Sequence, residues 1–434
     1  MSKLPNSFTP KLLSLLSTLL NSQTPEIMFD EIRPYNPEEL PEVYERLLAD
    51  KQFLAVLPYV LPDVPVEQVA ALMRGCKTNL EFQKTFCYGF LKQLLAKAST
   101  GCDMDISAID NQRRYTFVSN HRDIVLDSAL LDMLLIDANF STTCEIAIGD
   151  NLLSLPWVRD LVRVNKSFIV QRSLPPRQML LASRELSDYM HYAISEKNEN
   201  IWIAQREGRA KDSDDRTQPA ILKMMAMGGE GTTLERLEAL HIVPLAISYE
   251  YDPCDYLKAR ELWCRHEDPA FRKTANDDVV SMRTGIMGYK GAIHYHCAPC
   301  IDDYLQTLGD VPKGELFDTV AAHIDRQIHL HYRLFPSNLV ALRILGAEEE
   351  GNTMFDMCGK DVNSVVAWLS DHLSVGCGEA EEKAFNDYLS KRVAMAHTEG
   401  ADDTAFIRHI LLVMYANPAI NFYKSLTPAS CHTI

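Results

Sequence analysis

The sequence predicts an α/β protein: a mixed, mainly parallel sheet covered by helices, set between helical N- and C-terminal flanks. Three observations carry this. Short β-branched runs alternate with amphipathic stretches through the middle of the chain, the rhythm of strands and helices taken in turn. The segments on either side place apolar residues at three- and four-residue spacing, the helical period. At 434 residues, 47% apolar and 24% charged, the chain is long enough to bury a large core and has the composition of a globular protein.

Residues 1–105 read as a helical N-terminal region. "KLLSLLSTLLN" (11–21) is interrupted by Ser and Thr and has no small-residue cleavage site, so it reads as an amphipathic helix and not a signal peptide. "ELPEVYERLLADKQFLAVL" (39–57) and "EFQKTFCYGFLKQLLAKA" (81–98) follow, separated by Pro58, Pro62, Pro65 and Gly75. The α/β unit spans 106–302. Its strands are predicted in "RRYTFVSN", "TTCEIAIG", "KSFIVQR", "NIWIAQR", "HIVPLAISYE" and "GAIHYHCAP", with a long helix in "LPPRQMLLASRELSDYMHYAISEK" (174–197). Residues 303–434 return to helical periodicity, broken at "GAEEEGN" (346–352) and "HTEGADD" (397–403).

The net charge is −16, from 43 Lys+Arg against 59 Asp+Glu. Such a charge disfavours nonspecific binding to nucleic acid or to an anionic membrane across the whole surface, although a local basic patch could still serve. No run reaches the ~20 apolar residues of a membrane span. The 11 scattered cysteines suit reduced thiols better than a secreted disulfide framework. The expected location is the cytoplasm, with peripheral contact on the inner face of a membrane.

G-x-S-x-G, Walker, complete G-x-G-x-x-G and H-E-x-x-H motifs are all absent. Chemistry must then be read from strand ends, where α/β proteins place it. Four are polar. The first ends in Asn120-His121 with Asp123 and Asp127 close behind, and the second in "SFIVQRS" with Arg172. The third ends in "AQREGRAKD" with Glu207, Gly208 and Arg209, and the fourth is "IVPLAISYE" with Pro244, Tyr249 and Glu250. Taken singly, each has a plain structural reading, as a cap or a solvated turn. Together and in order, they offer a base near neutral pH, bidentate cationic anchors for an anion and a glycine-containing turn.

This ordered set resembles the four blocks of the glycerolipid acyltransferase superfamily, which includes glycerol-3-phosphate and lysophosphatidic acid acyltransferases. The resemblance covers roughly 106–300 and is closest in "IVPLAISYE". Two spacings depart from the family pattern. Five residues separate His121 from Asp127 where the family has four, and "REGR" lacks the residue the family places between Gly and Arg. Residues 206–216 also sum to zero charge.

The resemblance implies a glycerol-3-phosphate acyltransferase-like fold. It further implies transfer of a fatty acyl group from a thioester, acyl-CoA or acyl carrier protein, to a hydroxyl of glycerol 3-phosphate or a lysolipid, with no metal or organic cofactor. His121 would be the general base, supported by Asp127 or by Asp123. Asn120, Arg172, Glu207, Gly208, Arg209 and Pro244 would bind substrate. One rival is a non-catalytic lipid-binding protein on the same scaffold. Another is a zinc or redox protein centred on "HYHCAPC" (His294, His296, Cys297, Cys300), which reads better as a strand because its C-x-x-C stands alone. "HIDRQIHLHY" (323–332) likewise reads as an amphipathic helix and not a ligand set.

Overall fold

The computed structural model describes residues 29–60, 64–172, 174–348, 357 and 359–426. The helix expected at 11–21 lies outside them. Seven strands form one sheet: β1 Gly101–Asp105, β2 Thr116–Ser119, β3 Cys144–Gly149, β4 Ser167–Val170, β5 Asn200–Ala204, β6 Ile242–Tyr249 and β7 Ala292–Cys297. Their order is β1-β7-β6-β2-β5-β3-β4. Every pairing is parallel except β6 with β7, so β1 and β7 run against the other five. The sheet is mixed and mainly parallel, as expected.

Both faces are covered, which explains why the strands read as near-continuous apolar runs; all eight residues of β6 are buried. Successive side chains point to opposite faces. Phe117, Trp202, Val243 and Leu245 pack under the helices Tyr88–Ala98 and Leu126–Asp137. Val118, Ile201, Ile203 and Ala246 pack under Pro176–Ser195 and Leu316–Leu330.

Two expectations need correcting. The 1–105 region is not wholly helical: β1 pairs with β7 through Gly101↔Ala292 to Asp105↔His296. "GCDMD" has little apolar content because it is a half-exposed edge strand with no face to bury fully. The helix read over 39–57 is two, Leu40–Ala49 and Lys51–Val60. Asp50 divides them, its carboxylate accepting from the backbone N–H groups of Gln52 (2.8 Å) and Phe53 (3.0 Å) to start the second.

The C-terminal helices share one core with the sheet: Leu339, Leu342, Leu411 and Ala416 belong to the same apolar cluster as Val118 and Ile201. A buried polar knot adds to this. Asp255, in the helix Asp255–Glu267, accepts from Tyr388 (2.6 Å) and Tyr415 (2.8 Å) and pairs with Arg392. Among the described residues, no helix is long and apolar enough to cross a membrane.

Candidate active site

The site begins where β2 stops. Asn120 is fully buried and locked to β6: its amide donates to the Ile247 carbonyl (2.9 Å) and its oxygen accepts from the Ile247 N–H (2.8 Å). This corrects its expected role as a substrate contact, because no face of it is open to a ligand. It anchors the loop that carries the next residue, His121.

The turn Ile124–Val125 then leads into the helix Leu126–Asp137. Asp123 organises that turn, accepting from the N–H groups of Val125 (2.9 Å) and Leu126 (2.8 Å). Asp127, one residue into the helix and fully buried, lies against His121, with Oδ2 2.8 Å from Nδ1. The same oxygen accepts from the N–H groups of Arg122 (2.6 Å) and Asp123 (3.0 Å). The extra residue between His121 and Asp127 is absorbed in the turn that Asp123 caps. The structure thus places Asp127 beside the imidazole and uses Asp123 on the backbone. Burial, and after it the Asp127 charge, pushes the Asp123 carboxyl above its usual range.

A carboxylate on Nδ1 holds the proton there and leaves Nε2 with a free lone pair. The ring is 13% exposed, and the edge of Trp202 packs against it at 5.7 Å between ring centres. The Trp202 indole is fixed by donating to Ser119 (3.0 Å).

The other rim residues follow the strand order outward from β2. At β5, Glu207 is mostly exposed, and Gly208 turns the chain at φ +70°, a left-handed conformation that favours glycine. At β3, Gly149 and Asp150 receive the loop after β4, with Asp150 accepting from the Arg172 N–H (3.2 Å). The Arg172 guanidinium lies 3.7 Å from Glu207. A side chain on Gly149 would meet it, since a Cβ there would sit 2.9 Å from Arg172 Nε. Three strand spacings, about 14 Å, separate β2 from β4.

Arg209 turns the other way, toward Asp123, Asp252 and Cys254. Burial opposes its charge, but these neighbours outweigh it and raise its pKa. Its Nη1 is a buried donor with no hydrogen-bond partner among the described residues. Pro244 lies inside β6 opposite Val118, buried before the strand reaches the rim. It is a strand residue and not the substrate contact expected.

Sequence reasoning missed the clamp behind the loop. Arg122 is buried and paired with buried Asp215 at 2.6 Å, and Tyr332 donates to the same carboxylate at 2.5 Å. Lys258 holds the Arg122 carbonyl (3.0 Å) and Asp252 (2.5 Å). This also accounts for the neutral charge of 206–216: Asp215 answers Arg122, while Asp214 answers Arg216 at 3.1 Å.

"HYHCAPC" does not come together as a ligand set. β7 buries Cys297 and directs His294 to Asp103 (3.0 Å). Cys300 instead approaches His241 and Asp302, with one ligand atom from each within 4.8 Å of the others. There His241 Nδ1 is 2.7 Å from Asp302, and Arg113 lies 3.6 Å from the same carboxylate. This cluster sits at the start of β6, the far end of the sheet from His121.

A His–Asp pair at the carboxyl rim of a mostly parallel sheet is the arrangement of an α/β enzyme equipped for proton transfer. Residues 104–248, about a third of the chain, match the family model described as Acyltransferase. Among solved structures it is similar to the 1-acyl-sn-glycerophosphate (LPA) acyltransferase PlsC from Thermotoga maritima. The two share 13% identity and a TM-score of 0.34 over 67% of this chain and 95% of that one. No curated protein matches the chain.

Proposed function

We propose that the enzyme moves a fatty acyl group from an acyl-CoA or acyl carrier protein thioester to a hydroxyl of glycerol 3-phosphate or a lysophospholipid, on the cytoplasmic side of a membrane. The observation that carries this is the 2.8 Å contact of His121 with Asp127, which leaves Nε2 as the acceptor at the rim. Nε2 takes the proton of the acceptor hydroxyl as its oxygen attacks the thioester carbonyl. The new C–O bond forms, the C–S bond breaks, and the departing thiolate takes the proton back from the imidazolium. Asp127 stabilises that imidazolium. Arg172 binds the acceptor's anionic group, with Glu207 and Gly208 shaping the turn beside it, while Arg209, turned to the other side, faces Asp123 and Asp252. No metal or organic cofactor enters this chemistry.

The test is thioester consumption against a panel of acceptors: glycerol 3-phosphate, lysophosphatidic acid and an uncharged lysolipid. His121→Ala is expected to lower turnover by about 10²–10⁴-fold with an unchanged melting temperature. Turnover near that of the wild type in the folded variant defeats the mechanism.

A further inference from the structure

The helix Pro176–Ser195 is only half used by the core. Its fully buried residues begin at Leu186, and none of its first ten residues, about 15 Å of helix, is fully buried. This half starts just after β4, at the carboxyl rim. Four residues at i, i+3, i+4 and i+7 share one face of it: Arg177, Leu180, Leu181 and Arg184. All four are exposed, the leucines by 62% and 67%. Leu155, at the rim end of neighbouring β3, is 40% exposed. Across the site, Met287 (73%) and Tyr289 (53%) rise just before β7, whose start lies at the same end of the sheet. His121 therefore sits between two apolar ridges about 24 Å apart, five strand spacings.

Charge singles out the first ridge. Residues 151–184 hold six basic residues against one acidic, Asp160, in a chain of net charge −16. Arg163 and Lys166 among them are buried; Arg159, Arg172, Arg177 and Arg184 are exposed, with Glu31 3.7 Å from Arg159, Glu207 3.7 Å from Arg172 and Asp188 3.5 Å from Arg184.

We propose that this half-helix is a docking surface for an anionic lipid bilayer, seating the carboxyl rim and His121 against the membrane. The two leucines enter the interface, flanked by arginines at headgroup level. The acidic remainder of the surface is repelled, which sets the orientation. An acidic carrier protein would use the arginines but leave a convex pair of leucines in water, so the bilayer accounts for more of the face. The proposal rests on the acyl-transfer reading only for the use made of this seating.

The test is co-sedimentation of the full chain with vesicles of phosphatidylcholine alone, or containing about one-quarter phosphatidylglycerol, at low and high salt. The wild type is expected to bind the anionic vesicles in a salt-sensitive way and to leave the neutral ones. Leu180→Ser with Leu181→Ser should weaken binding roughly tenfold or more. Arg177→Gln with Arg184→Gln should weaken it roughly thirtyfold. Both double variants should retain acyl transfer to water-soluble glycerol 3-phosphate. A wild type that stays in the supernatant, or variants that bind like it, overturns the proposal. So does a loss confined to carrier-protein-dependent turnover or to self-association, which hands the face to that partner. Failure of every protein to consume thioester with any acceptor of the panel instead defeats the functional reading and leaves the vesicle result to stand by itself.

Discussion

One oxygen of Asp127 accepts from an imidazole and two backbone N–H groups at once, which ties the histidine, the loop and the helix start to a single atom. Asp127→Asn replaces the charge that holds the imidazole tautomer, and is expected to cost several orders of magnitude in kcat with little change in KM. Asp123→Asn keeps an oxygen for the two N–H groups it caps, and should cost far less. Matched kinetics giving the reverse order would reassign the pair. The arginines separate by a different measurement. Arg172→Ala removes a half-exposed side chain, so it should raise the acceptor KM by roughly 10–150-fold and leave the melting temperature in place. Arg209→Ala removes a buried guanidinium that faces Asp123 and Asp252, while Asp252 keeps Lys258, and should lower stability by about 1–3 kcal/mol in urea titration. Much at this scale was legible. His121, both aspartates and the arginines announce themselves as polar residues closing apolar runs. Arg122–Asp215 does not, because a pair 93 residues apart has no local signature. Asn120 was visible and misjudged: adjacency to the histidine does not reveal that its amide is spent on β6.

At the level of elements, the helix Ala275–Met287 packs on the loop through Gly285, where a Cβ would stand 1.8 Å from Asp123 Oδ2. Asp123 is buried and engaged with two N–H groups, so it cannot move aside cheaply. Gly285→Ala is therefore expected to lose about 1–3 kcal/mol by urea unfolding and to lose activity with it. Full stability in that variant would show that the helix can shift away from the loop. Five of the seven strands were readable because burial on two faces gives near-continuous apolar runs, and β7 by its alternation of buried and half-buried residues. β1 was not, being a short edge strand with polar residues. The reversed direction of β7 was also hidden, since strand direction is set by the path of the two intervening helices and not by the strand's own residues.

Across the molecule, buried titratable groups act in opposite directions. Burial depresses His296 and His323 from 6.5 to about 4. Between those values the unfolded chain takes protons that the native state refuses, so stability falls with falling pH. Burial raises Asp132 from 3.8 to about 7 and Asp325 from 3.8 to about 6. There the native state takes the protons, and stability rises as pH falls. The two effects oppose one another from pH 6.5 to 4, and the wild-type urea midpoint should change little across that window. His296→Gln with His323→Gln should unmask the carboxyls, giving a midpoint that climbs on acidification; a falling midpoint would contradict the assignment. The clamp on the His121 loop has a consequence in time as well. His121 and Asp127 are six residues apart, but Lys258 reaches the Arg122 carbonyl across 136 residues and Tyr332 reaches Asp215 across 117. Contacts at such separations close late, after local helices have formed. On the ribosome, all seven strands emerge before Tyr332 does, so the Tyr332–Asp215 fastener of the loop closes only after every strand has been made.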